Sequence, residues 1–189
     1  MHKAYLLVIC LLLAPFTGCI EPEEIEITSD PVEDEDNSQI DETKDESDNP
    51  INFQPETRDE LKTAVDEWIE DSDSANSTYG TIDTWDTSLI TDMSELFWET
   101  SFFNGDISDW DVSNVVYMNE MFYYATDFNQ DIGYWDVSSV TDMEGMFFAA
   151  TNFNQDLVGW DVSKVTDTNG MFYAAIDFNG DISHWDTSS

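Results

Sequence analysis

A Trp-Asp pair recurs in this chain at a fixed interval of 25 residues. Its tryptophans are Trp85, Trp110, Trp135, Trp160 and Trp185, and an aspartate follows each one. A fixed period between about 20 and 50 residues is typical of repeat proteins, because one unit cannot bury its apolar face whereas a stack of units can. The interval therefore predicts a solenoid over residues 82–189, with four full repeats and a truncated fifth.

Other apolar positions keep the same period, which indicates one stacked core. Aliphatic residues precede the tryptophan by three positions at Ile107, Ile132, Leu157 and Ile182, and follow it by five at Ile90, Val115, Val140 and Val165. Two further columns are Leu96, Met121, Met146 and Met171, and the phenylalanines Phe97, Phe122, Phe147 and Phe172. A third aromatic column is Phe103, Phe128, Phe153 and Phe178. Truncating one inner tryptophan to alanine is expected to cost about 3–5 kcal/mol.

Each repeat is predicted to be an LRR-like coil containing a short strand and a short helix. The segment around "DISxWDVSxV" is rich in β-branched residues that alternate, which favours a strand. The segment "MxxMFxxA" spaces its apolar residues as a helix does over about two turns. Stacked coils would place equivalent residues about 4.8 Å apart.

Residues 51–81 are predicted to form an N-terminal helical cap. Thr57 and Glu60 fit a capping box, in which each side chain satisfies a free N–H group of the first helical turn. The apolar residues Leu61, Ala64, Val65, Trp68 and Ile69 then follow with helical spacing. This pattern predicts an amphipathic helix from Arg58 to Glu70, whose apolar stripe packs on the repeats.

The N-terminus has the pattern of a lipoprotein signal peptide over residues 1–18. A short basic stretch precedes an apolar run that ends at "FTGC", and this ending resembles a prokaryotic lipobox. We therefore expect cleavage before Cys19 and lipidation of its thiol; an ordinary secretory signal cut nearby is the alternative. Residues 19–50 are rich in carboxylates and poor in aromatic side chains, which predicts a disordered tether.

Charge excludes some functions. The formal net charge is -37, so the chain repels nucleic acid, and we expect no nucleic-acid partner. Cys10 lies within the signal, so Cys19 is the thiol left after export, and lipidation removes it as a nucleophile or zinc ligand. We expect neither a cofactor nor an enzyme activity.

The aspartate column after the tryptophans has two interpretations. In the first, Asp86, Asp111, Asp136 and Asp161 accept the N–H two residues on, forming Asx turns. In the second they form a calcium ladder, although the sequence has no Asp-x-Asp-x-Asp-Gly loop. The asparagines Asn104, Asn129, Asn154 and Asn179 form another column, which we expect to turn inward and bond free backbone groups at a corner.

The repeat resembles that of a known family. The pattern "FNQDIxxWDVSxVTDMxxMFxxA" is similar to the repeat of the BspA-type leucine-rich-repeat surface proteins, first noted in mycoplasmal surface lipoproteins. Tyr117 and Thr168 depart from it, standing where Asp and Met are usual. The resemblance covers about residues 82–189 and implies an extracellular LRR-like solenoid associated with adhesion and surface binding.

A ligand-binding site is expected at positions that are exposed or that differ from one repeat to the next. One column is aromatic in every repeat, at Trp98, Tyr123, Phe148 and Tyr173. It packs on its neighbours or forms a partly exposed stripe for a glycan or protein ligand.

Three functional classes follow from these features. The first is a lipid-anchored module at the outer cell surface, which binds an extracellular protein or glycan. The second is a structural or salt-adapted envelope spacer, and the third is a glycoside hydrolase, which would need one asymmetric carboxylate pair. Since few residues follow Trp185, we also expect the chain to be a fragment of a longer array, or its fourth repeat to fray.

Overall fold

The computed structural model describes residues 52–186. Its elements are α1 (Arg58–Glu70) and α2 (Ser72–Tyr79), which precede the repeats, and a short 3-10 helix (Ile82–Thr84) at the start of the first repeat. The repeats that follow consist of turns joined by isolated parallel bridges. The predicted signal peptide and tether, and the lipidation at Cys19, lie outside the described residues.

Helix α1 has the bounds that the sequence predicts. The Glu60 N–H donates to the Thr57 hydroxyl, so the first half of the capping box is confirmed. The Glu60 carboxylate accepts from the N–H of Glu56 rather than of Thr57, which moves the reciprocal bond one residue outward. Leu61, Ala64 and Val65 are fully buried, whereas Ile69 is 38% exposed and lies at the edge of the stripe.

The helical segment packs on the start of the array. The indole of Trp68 meets the ring of Phe103 edge-on at 5.7 Å, and Phe53 contacts the ring of Trp85 at 5.2 Å. The guanidinium of Arg58 donates to the carbonyl oxygen of Ser94 and lies 3.8 Å from the carboxylate of Asp92. These contacts cover the apolar face that the first repeat would otherwise expose.

Successive repeats lie side by side in register. Parallel bridges pair Asp92 with Tyr117, Tyr117 with Asp142 and Asp142 with Asp167, so each partner is 25 residues further along the chain. Tyr117 therefore occupies the same position in the stack as the aspartates of its column, although its side chain is a phenol rather than a carboxylate. The Trp110 indole N–H donates to the carbonyl oxygen of Ile82 in the preceding repeat, at 2.8 Å. The indoles of the next three tryptophans make the same bond, 28 residues back.

The strand and the helix predicted for each repeat are not among the elements of residues 85–186. The Met-Phe segment alternates two kinds of hydrogen bond instead. The N–H groups of Met93, Glu95, Phe97 and Glu99 donate to the next repeat, at Tyr117, Asn119, Met121 and Tyr123. Those of Leu96, Trp98 and Thr100 close turns on the carbonyl three residues earlier. Consecutive turns thus replace the helix, and inter-repeat bonds replace the strand ladder.

Left-handed residues make this alternation possible. Glu95 and Glu99 have φ of 56°, and the equivalent positions of the later repeats also have positive φ. A residue in this conformation ends the right-handed turn before it, so no helix can propagate. Met93, Leu96 and Phe97 still point inward, because two successive turns reproduce the spacing of buried residues in a helix.

The stacked core that the columns predict is confirmed. Trp85, Trp110, Trp135 and Trp160 are 2–3% exposed. The rings of Phe97, Phe122, Phe147 and Phe172 stack in series at centroid distances of 5.3–5.5 Å. Burial declines in the last repeat, where Phe172 and Phe178 are half-buried and Ile182 is 38% exposed. Thr168 is exposed there, although the methionines in its column are fully buried.

Candidate ligand-binding surface

The four residues of the predicted ligand-binding column form a continuous row on the surface. Their rings stack in series at centroid distances of 6.2 Å, 4.6 Å and 4.8 Å, with interplanar angles of 12–20°. Trp98 is 43% exposed and Tyr173 is 65% exposed, while the two between them are half-buried. We call Trp98, Tyr123, Phe148 and Tyr173 the aromatic stripe. The row both packs on itself and faces solvent.

The turns of the Met-Phe segment hold the stripe in place. The Trp98 N–H closes a turn on the Glu95 carbonyl at 3.2 Å, and the Tyr123 N–H closes the equivalent turn on Glu120 at 3.1 Å. The residue after each turn, such as Glu99, bonds to the next repeat. The backbone is therefore hydrogen-bonded on both sides of Trp98, Tyr123 and Phe148, which holds these three rings in place.

Tyr124 widens the stripe in the second repeat. Its ring lies 5.0 Å from that of Tyr123 and 5.8 Å from that of Phe148, and it is 43% exposed. It has φ of 55°, a conformation that non-glycine residues rarely adopt. Its column also contains Glu99, Ala149 and Ala174, so periodicity alone gives no signal for this residue. The adjacent "YY" in one repeat is the one signal that could have indicated it.

Carboxylates flank the rings. Partial burial, together with the charges of Glu95 and Glu144, raises the pKa of Glu120 above its usual range. Partial burial also raises the pKa of the Tyr123 phenol, helped by Tyr124 and by the charge of Glu120. The surface therefore combines a row of stacked, partly exposed rings with negative charge, and sequence analysis missed this contribution of the glutamates.

The aspartate column forms Asx turns, as the first interpretation predicts. The N–H of Ser88, Ser113, Ser138 and Ser163 each donates to the carboxylate two residues earlier, at 3.0–3.1 Å. Hydrogen bonds from Ser138 lower the pKa of Asp136, and those from Ser163 lower the pKa of Asp161. Within residues 52–186, no group of three or more carboxylate, imidazole or thiol side chains is placed to hold a metal ion.

The asparagine column differs in part from its prediction. The side-chain oxygens of Asn104, Asn129 and Asn154 accept the backbone N–H of the asparagine in the next repeat, at 2.7–2.9 Å. Bonding to free backbone groups is thus confirmed. The inward orientation is wrong, because these side chains are exposed and link neighbouring repeats along the surface. A side chain on the outside can reach the next repeat as readily as one inside.

None of the helices between residues 52 and 186 is long and apolar enough to cross a membrane.

The described array defines a class of repeat protein in which equivalent residues of successive 25-residue units stack in columns. The chain belongs to the family described as Mycoplasma protein of unknown function, DUF285, whose pattern matches residues 64–185. That range includes most of α1, all of α2 and the repeats as far as the fifth tryptophan. No curated protein and no solved structure matches the chain.

Proposed function

We propose that this chain is a cell-surface binding module of the BspA type. In this proposal the repeats form an LRR-like solenoid, and a lipid on Cys19 holds them at the outer face of the cell envelope through the acidic tether. The module has no enzymatic role, and its partner is an extracellular protein or glycan. The family assignment is compatible with the BspA type, and the 25-residue register of the stack supports the solenoid.

The observation that carries the binding role is the exposed aromatic stripe. Aromatic side chains on a monomer are usually buried because each one gains free energy by leaving water. Here the rings of four repeats are aligned on the surface, and Tyr173 keeps 65% of its area exposed. Exposed aromatic rows with polar margins are typical of protein and sugar recognition, since a rigid ring offers contact area at low entropic cost.

A binding screen with matched variants tests the proposal. The chain without its signal peptide is applied to arrays of glycans and extracellular-matrix proteins, and binding is compared with that of Trp98→Ala/Tyr173→Ala. Removing two exposed rings is expected to weaken binding at least tenfold, which corresponds to about 1.4 kcal/mol. The control is Phe102→Ala/Tyr134→Ala, which removes two rings that are 92% and 91% exposed outside the stripe. Equal loss in both variants would show that the stripe has no special role.

The anchor has its own test. Cys19→Ala should release the chain from the membrane fraction while the repeats still fold, because the proposed lipid is attached to that thiol. Detergent partitioning measures the release, and circular dichroism checks the fold. If Cys19→Ala partitions as the natural chain does, the anchor is wrong, although the binding surface is unaffected.

A further inference from the structure

The carboxylates beside the aromatic stripe are concentrated in its first two repeats. Glu95 and Glu120 each precede a stripe residue by three positions, and their carbonyls close the turns that present Trp98 and Tyr123. The third and fourth repeats have Gly145 and Gly170 at the same position. Glu144, beside Gly145, also acts on Glu120, so the negative charge is concentrated at the half of the stripe that contains Trp98 and Tyr123 and extends to the edge of the third repeat.

Both glutamates occupy a backbone conformation that favours glycine. Their φ angles are 56° and 55°, and Gly145 and Gly170 adopt 58° and 65° at the equivalent positions. A side chain with a Cβ is disfavoured in this region, whereas glycine enters it at no steric cost. At this position the first two repeats thus have a carboxylate residue. Glycine, which the next two repeats have, adopts the required backbone conformation at a lower conformational cost.

The Glu120 side chain is close to the Tyr123 ring, and the charge of Glu95 acts on it. A methyl group built on Gly145 would lie 3.4 Å from the Cγ atom of Glu120 and 3.6 Å from the Tyr123 ring, so the two side chains share one small area. The ion pairs of the described part of the chain join Arg58 to Asp92 and Lys62 to Asp66, and neither involves Glu95 or Glu120. The negative charge at the stripe is left for a partner to neutralise.

We propose that the Trp98–Tyr123 half of the stripe, with Glu95 and Glu120, binds arginine side chains of a basic protein segment. Trp98 is the first ring of the row, so its face turned away from Tyr123 carries no other stripe ring. Such a face attracts a cation, and a planar guanidinium also stacks on it. A carboxylate accepts two parallel N–H bonds from the edge of the same group. The net charge of -37 adds long-range attraction for a basic partner. This inference rests on the proposed function, because it assigns the partner class of the same surface.

The test uses the full chain and a defined probe. The probe is the capped peptide Gly-Arg-Gly-Arg-Gly, and its control has citrulline in place of both arginines, which keeps the planar shape but removes the charge. Calorimetry at fixed, moderate ionic strength should detect binding of the arginine peptide and at least tenfold weaker binding of the citrulline peptide. Equal binding of the two peptides would overturn the cationic assignment.

Two double variants separate a local site from overall charge. Glu95→Gln/Glu120→Gln should weaken binding of the arginine peptide about tenfold, because each lost ionic contact contributes modestly at a partly exposed site. Asp83→Asn/Asp109→Asn removes the same charge from exposed positions outside the stripe and should change binding less than twofold. Equal weakening by both would show that overall charge alone attracts the peptide, and the proposed site would be wrong.

Failure of this inference is distinguishable from failure of the proposed function. If the stripe variant Trp98→Ala/Tyr173→Ala loses a glycan or a matrix protein in the array screen while the arginine peptide does not bind, the stripe is a binding surface for another ligand class. If the arginine peptide binds the natural chain and Glu95→Gln/Glu120→Gln with the same affinity, a basic segment is still a partner of this chain, but it binds at another site. Either result contradicts the inference.

Discussion

At the residue scale, position in the stack decides what an aromatic side chain does. Trp135 is 3% exposed and its indole N–H donates to the Ile107 carbonyl, whereas Trp98 is 43% exposed. Both are tryptophans with a 25-residue register, and the sequence alone distinguishes them only by the column in which they stand. The buried column supports the fold, and the exposed column is free to meet a partner.

The first prediction follows from this contrast. Trp135→Ala should lower the free energy of unfolding by about 3–5 kcal/mol, because a large buried ring and its hydrogen bond to the Ile107 carbonyl are lost. Trp98→Ala should lower it less, by about 1–2 kcal/mol, because 43% of the area of that residue is already in water. Urea unfolding followed by circular dichroism measures both. Similar losses in the two variants would mean that the stripe is part of the core.

The second prediction concerns the pKa of Glu120, which is raised above its ordinary value of 4.5 in the folded chain. A carboxyl whose pKa is raised on folding costs stability above the folded pKa, and that cost disappears as the pH falls below the unfolded pKa. Glu120→Gln should therefore raise the melting temperature near neutral pH and leave it nearly unchanged near about pH 3. The left-handed backbone is common to both chains, so its cost cancels.

Thermal scans at the two pH values, with Glu67→Gln as the control, check this prediction. Glu67 is an exposed carboxylate of α1 that accepts a hydrogen bond from the phenol of Tyr79, at 3.0 Å. Its replacement should give no comparable gain at neutral pH. A gain for Glu120→Gln that is as large in acid as at neutrality would contradict the electrostatic cause.

At the element scale, the sequence predicts α1 and the buried columns but not the local backbone of the repeats. The capping residues and the apolar spacing give α1 its bounds. Consecutive turns bury Met93, Leu96 and Phe97 with the same spacing as a helix, so periodicity cannot separate the two. Gly145 and Gly170 indicate positive φ in the column of Glu95, but the column of Glu99 has no glycine, the residue that usually marks it.

Helix α2 was missed for a different reason. Its sequence "SDSANSTY" has one buried residue, Ala75, so it shows no apolar period to detect. It begins at the Asp71 cap, whose carboxylate accepts the Ser74 N–H at 3.2 Å. The stripe could be named from the sequence as a column, but its exposure and its flanking carboxylates depend on where the turns aim each side chain.

The third prediction tests how closely neighbouring repeats approach. A Cβ at Gly133 would lie 2.5 Å from the backbone carbonyl oxygen of Asp156 in the next repeat. Because that oxygen belongs to the backbone, the repeats must move apart, and Gly133→Ala should cost about 1–3 kcal/mol. The control is Ser108→Ala, in the same column, where a Cβ is already present. Chemical denaturation measures both, and equal stability of Gly133→Ala and the natural chain would contradict the close approach.

At the scale of the whole molecule, the acidity of the chain raises the question of whether ions stabilise it. The Asx turns already engage one oxygen of Asp111 and its equivalents, and each turn is complete without a metal. A calcium ladder would need adjacent repeats to share an ion between those carboxylates. A salt-adapted spacer would instead gain stability from any salt that screens the charge of -37.

The fourth prediction separates these cases. Calcium at millimolar concentration should raise the melting temperature no more than sodium chloride of equal ionic strength, because screening acts without a specific site. Differential scanning calorimetry on the same preparation measures both shifts. A markedly larger shift with calcium would favour the ladder at Asp86, Asp111, Asp136 and Asp161.

In the proposed function, the chain binds its partner at the aromatic stripe. Hydrogen exchange of the full chain, with and without the ligand selected by the array screen, tests it most directly. We predict slower exchange at residues 95–99, 120–124, 145–149 and 170–174 when the ligand is bound, and unchanged exchange at the Asx turns. Slower exchange confined to α1, or to the turns that follow the tryptophans, would place the partner elsewhere and contradict the account.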